Sequence, residues 1–306
     1  MELKSLEYIV AIDEQKSIAK AADKLYLTQS ALNQHLLKLE KELGTPLFER
    51  RYHHMKPTFA GRVYLDSARR MLRMKEDAYK IIRDISDSRS GEISIAYTPE
   101  RGSLIFSEVY PRFHTEYPGY RILTTEARNV QIEKLLLRQE VTYALLSYNE
   151  RFPMHPDLDH TDFGREYIVL GLHKTHPLAH LAGPDSWKKL PDLDLRLLEN
   201  ENFILPSDDT MMRKMVDYIM EANKLHPKIL FESSSTNTIL RMIAHRLGAG
   251  FFPMSYADPS LPLVYFRTDP EQYWIRTVTY LRGTYISKPE QRLIDLFREH
   301  RDPVLF

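Results

Sequence analysis

Residues 17–51 read SIAKAADKLYLTQSALNQHLLKLEKELGTPLFERR, and their spacing predicts two helices joined by a tight turn. Ser17 is placed to cap a helix whose inner face is Ile18, Ala21, Ala22 and Leu25, where the small alanines let another backbone come close. Thr28 is a good N-cap for the next helix, which carries Leu32, Leu36, Leu39 and Leu43 on one side and is stopped by Gly44 and Pro46. Upstream, Leu3, Leu6, Ile9 and Val10 mark a first short helix, interrupted by the polar run Asp13–Lys16. Opposite the leucine stripe lie Ser30, Asn33, Gln34, Lys38 and Lys41, with Gln29 in the first turn and no acid among them. Amides, a hydroxyl and lysines on an exposed helix suit the DNA major groove, where Gln or Asn reads adenine and Lys takes a base edge or a phosphate. An ordinary solvated helix face has the same polarity, so the order and spacing of the elements must decide. Ser17 and Lys20 also fit the S-x-x-K pattern of serine acyl-enzymes, but the other motifs of that chemistry are missing, and they read as a cap and a solvated lysine.

The order does decide. After the capped helix come Leu47-Phe48-Glu49-Arg50-Arg51, a basic tip at His53, His54 and Lys56, and Pro57-Thr58. Ser17–Arg51, followed by PTFAG from Pro57 to Gly61, resembles the LysR-type transcription regulators. The carrying features are Ala21-Ala22, Gln29-Ser30, Leu39-Glu40 with Leu43-Gly44, Leu47-Phe48-Glu49-Arg50, and Thr58-x-Ala60-Gly61. Where that family often has Pro and Ser, this chain has Ala31 and Asn33; Ala suits a helix better, and Asn33 alters which bases are read. The resemblance implies that Gln29, Ser30, Asn33 and Gln34 face bases, that Lys38, Arg50 and Arg51 hold phosphates, and that Thr28 and Thr58 belong to the same DNA-binding set. Arg50 could instead pair with Glu49 or Glu42.

Charge permits this reading. The net formal charge is zero, yet residues 1–90 carry an excess of +4 and residues 91–306 one of −4. With no cysteine, the chain has no disulfide, thiolate metal site, iron–sulfur cluster or cysteine redox sensor. Neither a signal peptide at Met1-Glu2-Leu3-Lys4 nor a long uncharged run is present, so a soluble, cytoplasmic protein without membrane contact is expected, and the resemblance implies a bacterial one.

From Phe59 to about Ser88 no proline interrupts, and a helix of some 30 residues is predicted. Tyr64, Ala68, Met71, Lys75, Ala78, Ile82 and Ile85 step by four and three, the seam of a coiled coil with Lys75 as a polar break. Two chains would zip there, giving a dimer or tetramer whose paired heads read an imperfect inverted repeat in double-stranded DNA. The other reading packs this face against the chain's own C-terminal half.

Beyond Ser88-Arg89-Ser90-Gly91, strand and helix patterns alternate from Ile93 to Pro253, implying α/β architecture with largely parallel sheets. The resemblance supplies the topology, similar to periplasmic binding proteins: two Rossmann-like lobes joined by crossings near Phe163–Glu166 and Phe266–Asp269. The expected fold is therefore α+β multidomain: a winged helix-turn-helix over 1–58, a linker helix over 59–90, and an effector-binding domain over 91–306. Lobe I takes about 91–163 and 268–306, lobe II about 164–267.

Ligands in open α/β folds sit at the carboxyl ends of strands. That rule selects Thr98, Ser103, Ser147, Ser207 and Thr210 as hydroxyl ligands for a small-molecule effector, Arg128 as a carboxylate clamp, and Phe252 across the cleft. Plain alternatives stand beside these: Ser103 and Thr210 as helix caps, and Ser207 with Asp208-Asp209 as a solvated turn. His173, His176 and His180 match no zinc spacing, and Pro177 breaks any helix that could align them, so no metal is expected. Nor is a cofactor, since the common nucleotide and hydrolase signatures are absent. A ligand-responsive transcription regulator explains both halves. A periplasmic solute-binding protein leaves the helix-turn-helix unexplained, and an α/β enzyme with a DNA-binding appendage lacks catalytic motifs. Activation of transcription would add RNA polymerase as a partner, though no residue identifies that surface.

Overall fold

The computed structural model describes residues 3–51, 54–86, 90–183, 186 and 189–300, with the side chains of Arg50 and Arg51 left aside. Three helices open the chain: α1 (Leu3–Gln15), α2 (Ile18–Lys24) and α3 (Gln29–Leu43). Ser17 and Thr28 cap as their sequence positions predict, each hydroxyl accepting the backbone N–H three residues on, and Gly44 closes α3 at φ +68°. Ile9, Ile12, Ala21, Ala22, Leu32 and Leu36 fill a small core, while Leu43, at the end of the stripe, is exposed. β1 (Phe48–Arg51) and β2 (His54–Pro57) pair antiparallel as a wing.

α4 (Phe59–Ile85) is one helix of 27 residues. Its expected seam divides between two surroundings. Ala68 is buried, Tyr64 packs on the core of the chain's own head, and Lys75 ion-pairs with Glu7 of α1 at 2.8 Å. Met71, Met74, Ile81, Ile82 and Ile85 remain exposed. Period alone cannot say what covers a helix face, and here the first half of the stripe serves the reading head.

The remainder forms one continuous sheet. β3 (Ser90–Tyr97), β4 (Gly119–Glu126) and β5 (Tyr143–Tyr148) are parallel, with α5 (Arg101–Glu116) and α6 (Asn129–Leu137) between them. The 16-residue β6 (Leu158–His173) leads out of this first lobe. In the second lobe β7 (Asn202–Pro206), β8 (Lys228–Ser233) and β9 (Ala249–Pro253) are parallel, connected through α7 (Met211–Ala222) and α8 (Thr236–Ala244). β10 (Leu263–Arg267) starts the return, β11 (Tyr273–Leu281) inserts between β5 and β6, and α9 (Lys288–Glu299) covers the first lobe. β6 pairs with β11 up to Tyr167 and with β9 from Ile168 onward, so the lobes exchange at that peptide. The sheets are mixed rather than largely parallel, because each crossing strand runs against its neighbours. No helix among the described residues is long and apolar enough to cross a membrane.

A buried carboxylate ties α4 to the first lobe. Glu290, 2% exposed, accepts from Ser287 N and Ser287 Oγ at 2.8 Å each and from Lys80 Nζ of α4 at 2.8 Å. One turn on, Asp84 accepts from the Tyr285 hydroxyl at 2.8 Å. Replacing Glu290 with Ala leaves an ammonium and a helix-cap amide without their acceptor, so a loss of about 3–5 kcal/mol is expected in urea unfolding. A loss under about 1 kcal/mol would show that the joint is not structural.

Candidate functional site

The first site is the outer face of α3. Thr28 Oγ1 accepts from Ala31 N at 3.2 Å and lies 3.3 Å from Ser30 Oγ, so the cap also orients the first exposed hydroxyl. Gln29, Ser30, Gln34 and Lys38 are exposed and Asn33 is half-buried. Gln29, Ser30 and Asn33 share a groove of about 680 Å³ with Ser17, Ala19 and the wing residue His54. Lys38 and Lys41, both exposed, add positive charge to this side of the helix, which favours an anion.

The wing is held from two sides. Glu40 Oε1 accepts from Leu47 N at 2.6 Å and Phe48 N at 3.1 Å, and Met55 N donates to Lys16 O at 2.9 Å. Thr58 Oγ1 donates to Pro46 O at 2.8 Å and accepts from Gly61 N at 2.9 Å, so this hydroxyl is committed to capping α4. The phosphate roles expected of Arg50 and Arg51 concern side chains outside the described residues; their backbone lies in β1.

The second site is a cavity of about 200 Å³ between the lobes, at the carboxyl ends of the parallel strands. Of the expected ligands, Thr98, Ser147 and Thr210 line it. Thr210 also caps α7, accepting from Arg213 N at 3.1 Å. The other four stand apart from that lining. Ser103 donates its hydroxyl to Glu100 O at 2.9 Å on the outer side. Ser207 donates its amide to Ser233 O of β8 at 3.0 Å, and its carbonyl accepts from Thr210 N at 3.1 Å in a turn. Arg128 is exposed and ion-pairs with Asp209. Phe252 is fully buried beside Tyr265 and over Gly171, because alternation along β9 turns it into the second lobe's core.

Charged residues missed by the sequence reading dominate the floor of this cavity. Glu166, 1% exposed, accepts from Trp274 Nε1 at 2.8 Å and from the Ser255 hydroxyl, with Arg101 Nε 3.9 Å away. Arg276 lies over the Phe163 ring at 5.3 Å, opposite Gly164, where a Cβ would stand 2.7 Å from the guanidinium. Burial pulls Arg276 below the ordinary arginine range, and the Glu166 carboxylate opposes that pull. Burial, then the carboxylates of Glu100 and Glu166, push the Tyr256 phenol up, so it stays a donor. The sequence signal for this floor is Arg276, the single charged residue in Tyr273–Leu281.

His173, His176 and His180 do not converge: their Nδ1 atoms bond locally to Thr175, Leu178 N and Pro177 O. Among the described residues no group of three or more His, Asp or Glu could hold a metal ion.

Comparison with known proteins follows this division. Residues 3–62 match the bacterial regulatory helix-turn-helix protein model of the lysR family, and residues 86–302 match the LysR substrate binding domain. The chain belongs to the LysR family. It is thus a DNA-binding transcription regulator with a C-terminal effector-binding domain. It is 26% identical to the dual regulator OxyR of Escherichia coli, covering 99% of this chain and 96% of that one. An uncharacterised regulator of Bacillus subtilis, YcgK, is 25% identical over 98% of this chain and 94% of its own. Full-length OxyR from Pseudomonas aeruginosa shares the fold with a TM-score of 0.72 at 20% identity, covering 98% and 94% of the two chains. CbnR in complex with its target DNA gives 0.56 at 20% identity, covering 98% and 99%.

Gly61, of the family-typical Thr58-x-Ala60-Gly61, shows how tightly wing and linker meet: a Cβ there would stand 1.9 Å from Leu47 O. Gly61→Ala should cost the head about 1–3 kcal/mol through overpacking. Thermal unfolding of the variant at the wild-type temperature would show that the wing can yield.

Proposed function

We propose that α3 reads bases through Gln29, Ser30, Asn33 and Gln34, while Lys38, Arg50 and Arg51 hold phosphates on either side. The observation that carries this is the acid-free, solvent-facing side of a capped helix, set beside a wing by Glu40. Residues 1–58 form the reading head, 59–90 the linker and 91–306 the effector domain. A small molecule binds between the lobes against Thr98, Ser147 and Thr210, and its presence changes how two heads are placed on DNA. The protein acts in the cytoplasm by binding and not by turnover, using no cofactor; a catalysed reaction in the cleft would overturn that part. Two chains pair through the exposed half of α4, where Met74 is 71%, Ile82 58% and Ile85 80% exposed.

Footprinting upstream of the protein's own gene at two salt concentrations tests the DNA reading, and protection of an imperfect inverted repeat is expected. Gln34→Ala should weaken specific binding by about 1–3 kcal/mol and leave random DNA nearly unaffected. Equal losses on both would remove Gln34 from the bases. Replacing Ile82 and Ile85 together with Asp should leave monomers at micromolar concentration by light scattering; an unchanged mass would place the interface elsewhere.

A further inference from the structure

The two lobes meet through one carboxylate that neither the fold nor the proposed ligand set accounts for. Glu100 sits in the first lobe, immediately before α5. Its Oε1 accepts from Ser235 Oγ at 2.5 Å, and its Oε2 from Thr236 N at 3.2 Å and the Tyr256 hydroxyl at 3.4 Å. All three donors belong to the second lobe: Ser235 and Thr236 open α8, and Tyr256 follows β9. The backbone of Glu100 has φ +64° and ψ −93°, the strained conformation of a γ-turn, which a non-glycine residue holds only when its surroundings impose it.

Position adds to this. Glu100, Arg101 and Tyr256 line both the inner cavity of about 200 Å³ and an outer groove of about 690 Å³ that also reaches Ser107, Asn237 and Asp258. They form the wall between the two spaces. The inner cavity alone is smaller than the roughly 300–1,000 Å³ usual for small-molecule sites. Further contacts across the lobes include the Arg128–Asp209 ion pair and the Arg151 guanidinium 3.7 Å over the Tyr218 ring.

We propose that Glu100 is an interlobe clasp, a side chain of the protein itself that holds the lobes together in the absence of a small molecule and shuts the inner cavity from the outer groove. Releasing it joins the two spaces, so an effector of ordinary size reaches Thr98, Ser147 and Thr210 only with the clasp open. The strained backbone of Glu100 favours release once its acceptor bonds are lost. The clasp goes beyond the effector reading above and concerns the lobes; only its consequence for ligand entry rests on that reading.

The chain's lack of cysteine makes the test clean. Thr115→Cys on α5 and Arg241→Cys on α8, both exposed, carry nitroxide labels in the full-length protein, diluted with unlabelled chains so that only distances within one chain are read. No effector is added. The parent should give one narrow distance. Glu100→Gln, which keeps the volume but not the charge, and Glu100→Gly, which also relieves the positive φ, should each add a longer-distance population. Sodium acetate should shorten the Glu100→Gly distances more than sodium chloride at equal ionic strength. Distributions unchanged from the parent in both variants would overturn the clasp. Should Glu100→Gly fail to fold, Glu100→Gln decides alone. A negative result here leaves the effector reading standing, and a failed effector screen leaves the clasp standing, because neither measurement uses the other's readout.

Discussion

Sixteen consecutive residues, Leu158–His173, stay in one strand while their hydrogen-bonding neighbours change between Tyr167 and Ile168. Backbone donors and acceptors must be paired on both sides of that change, so the lobes share a strand and cannot drift apart as beads on a string. Each lobe nevertheless keeps two apolar clusters of its own, one holding Phe113, Tyr143 and Phe297 and another Ile132 and Leu136 in the first lobe, one holding Phe203, Phe251 and Phe266 and another Ile243 and Phe252 in the second. Relative motion is thereby confined to bending at the crossings. The cavity lies beside that bend, and Gly164, Glu166, Trp274 and Arg276 of the two crossing strands line or flank it.

The reading head depends on a different kind of constraint. Its core is small, and its periphery is fixed by polar contacts: Glu40 to the wing amides, Thr58 to Pro46 and Gly61, Arg69 to Asp13 at 2.5 Å and Lys75 to Glu7. Arg69 and Asp13 are largely buried, whereas Lys75 and Glu7 are more open and correspondingly weaker. These bonds set the angle between α3 and α4, which in turn sets where a recognition helix stands relative to its partner on DNA.

The N-terminal half was legible in the sequence almost element by element, because caps, small-residue packing and a leucine stripe are local signals. Ser17, Thr28 and Gly44 act where their positions predict. The C-terminal half was legible as an alternation and not as a pairing diagram. The last strand, β11, and α9 lie beyond the alternation that the sequence shows from Ile93 to Pro253. Pairing between Tyr273–Leu281 and strands more than a hundred residues earlier leaves no trace in local periodicity. The same holds for the cleft: hydroxyls at strand ends follow from topology, as Thr98, Ser147 and Thr210 do, whereas Glu100, Arg101 and Arg276 reach it only through tertiary geometry. Phe252 shows the converse, since a one-residue step along a strand reverses the face.

α4 is committed at both ends to different bodies, Arg69 and Lys75 to α1 and Lys80 and Asp84 to α9. The portable unit is therefore not the helix-turn-helix alone. A chimera that takes its head from another regulator and joins it at Thr58 would strand Asp13 and Glu7 or their counterparts, while one joined between Lys75 and Lys80 carries each set of contacts whole. The seam along which such proteins can exchange specificities runs through the middle of a helix.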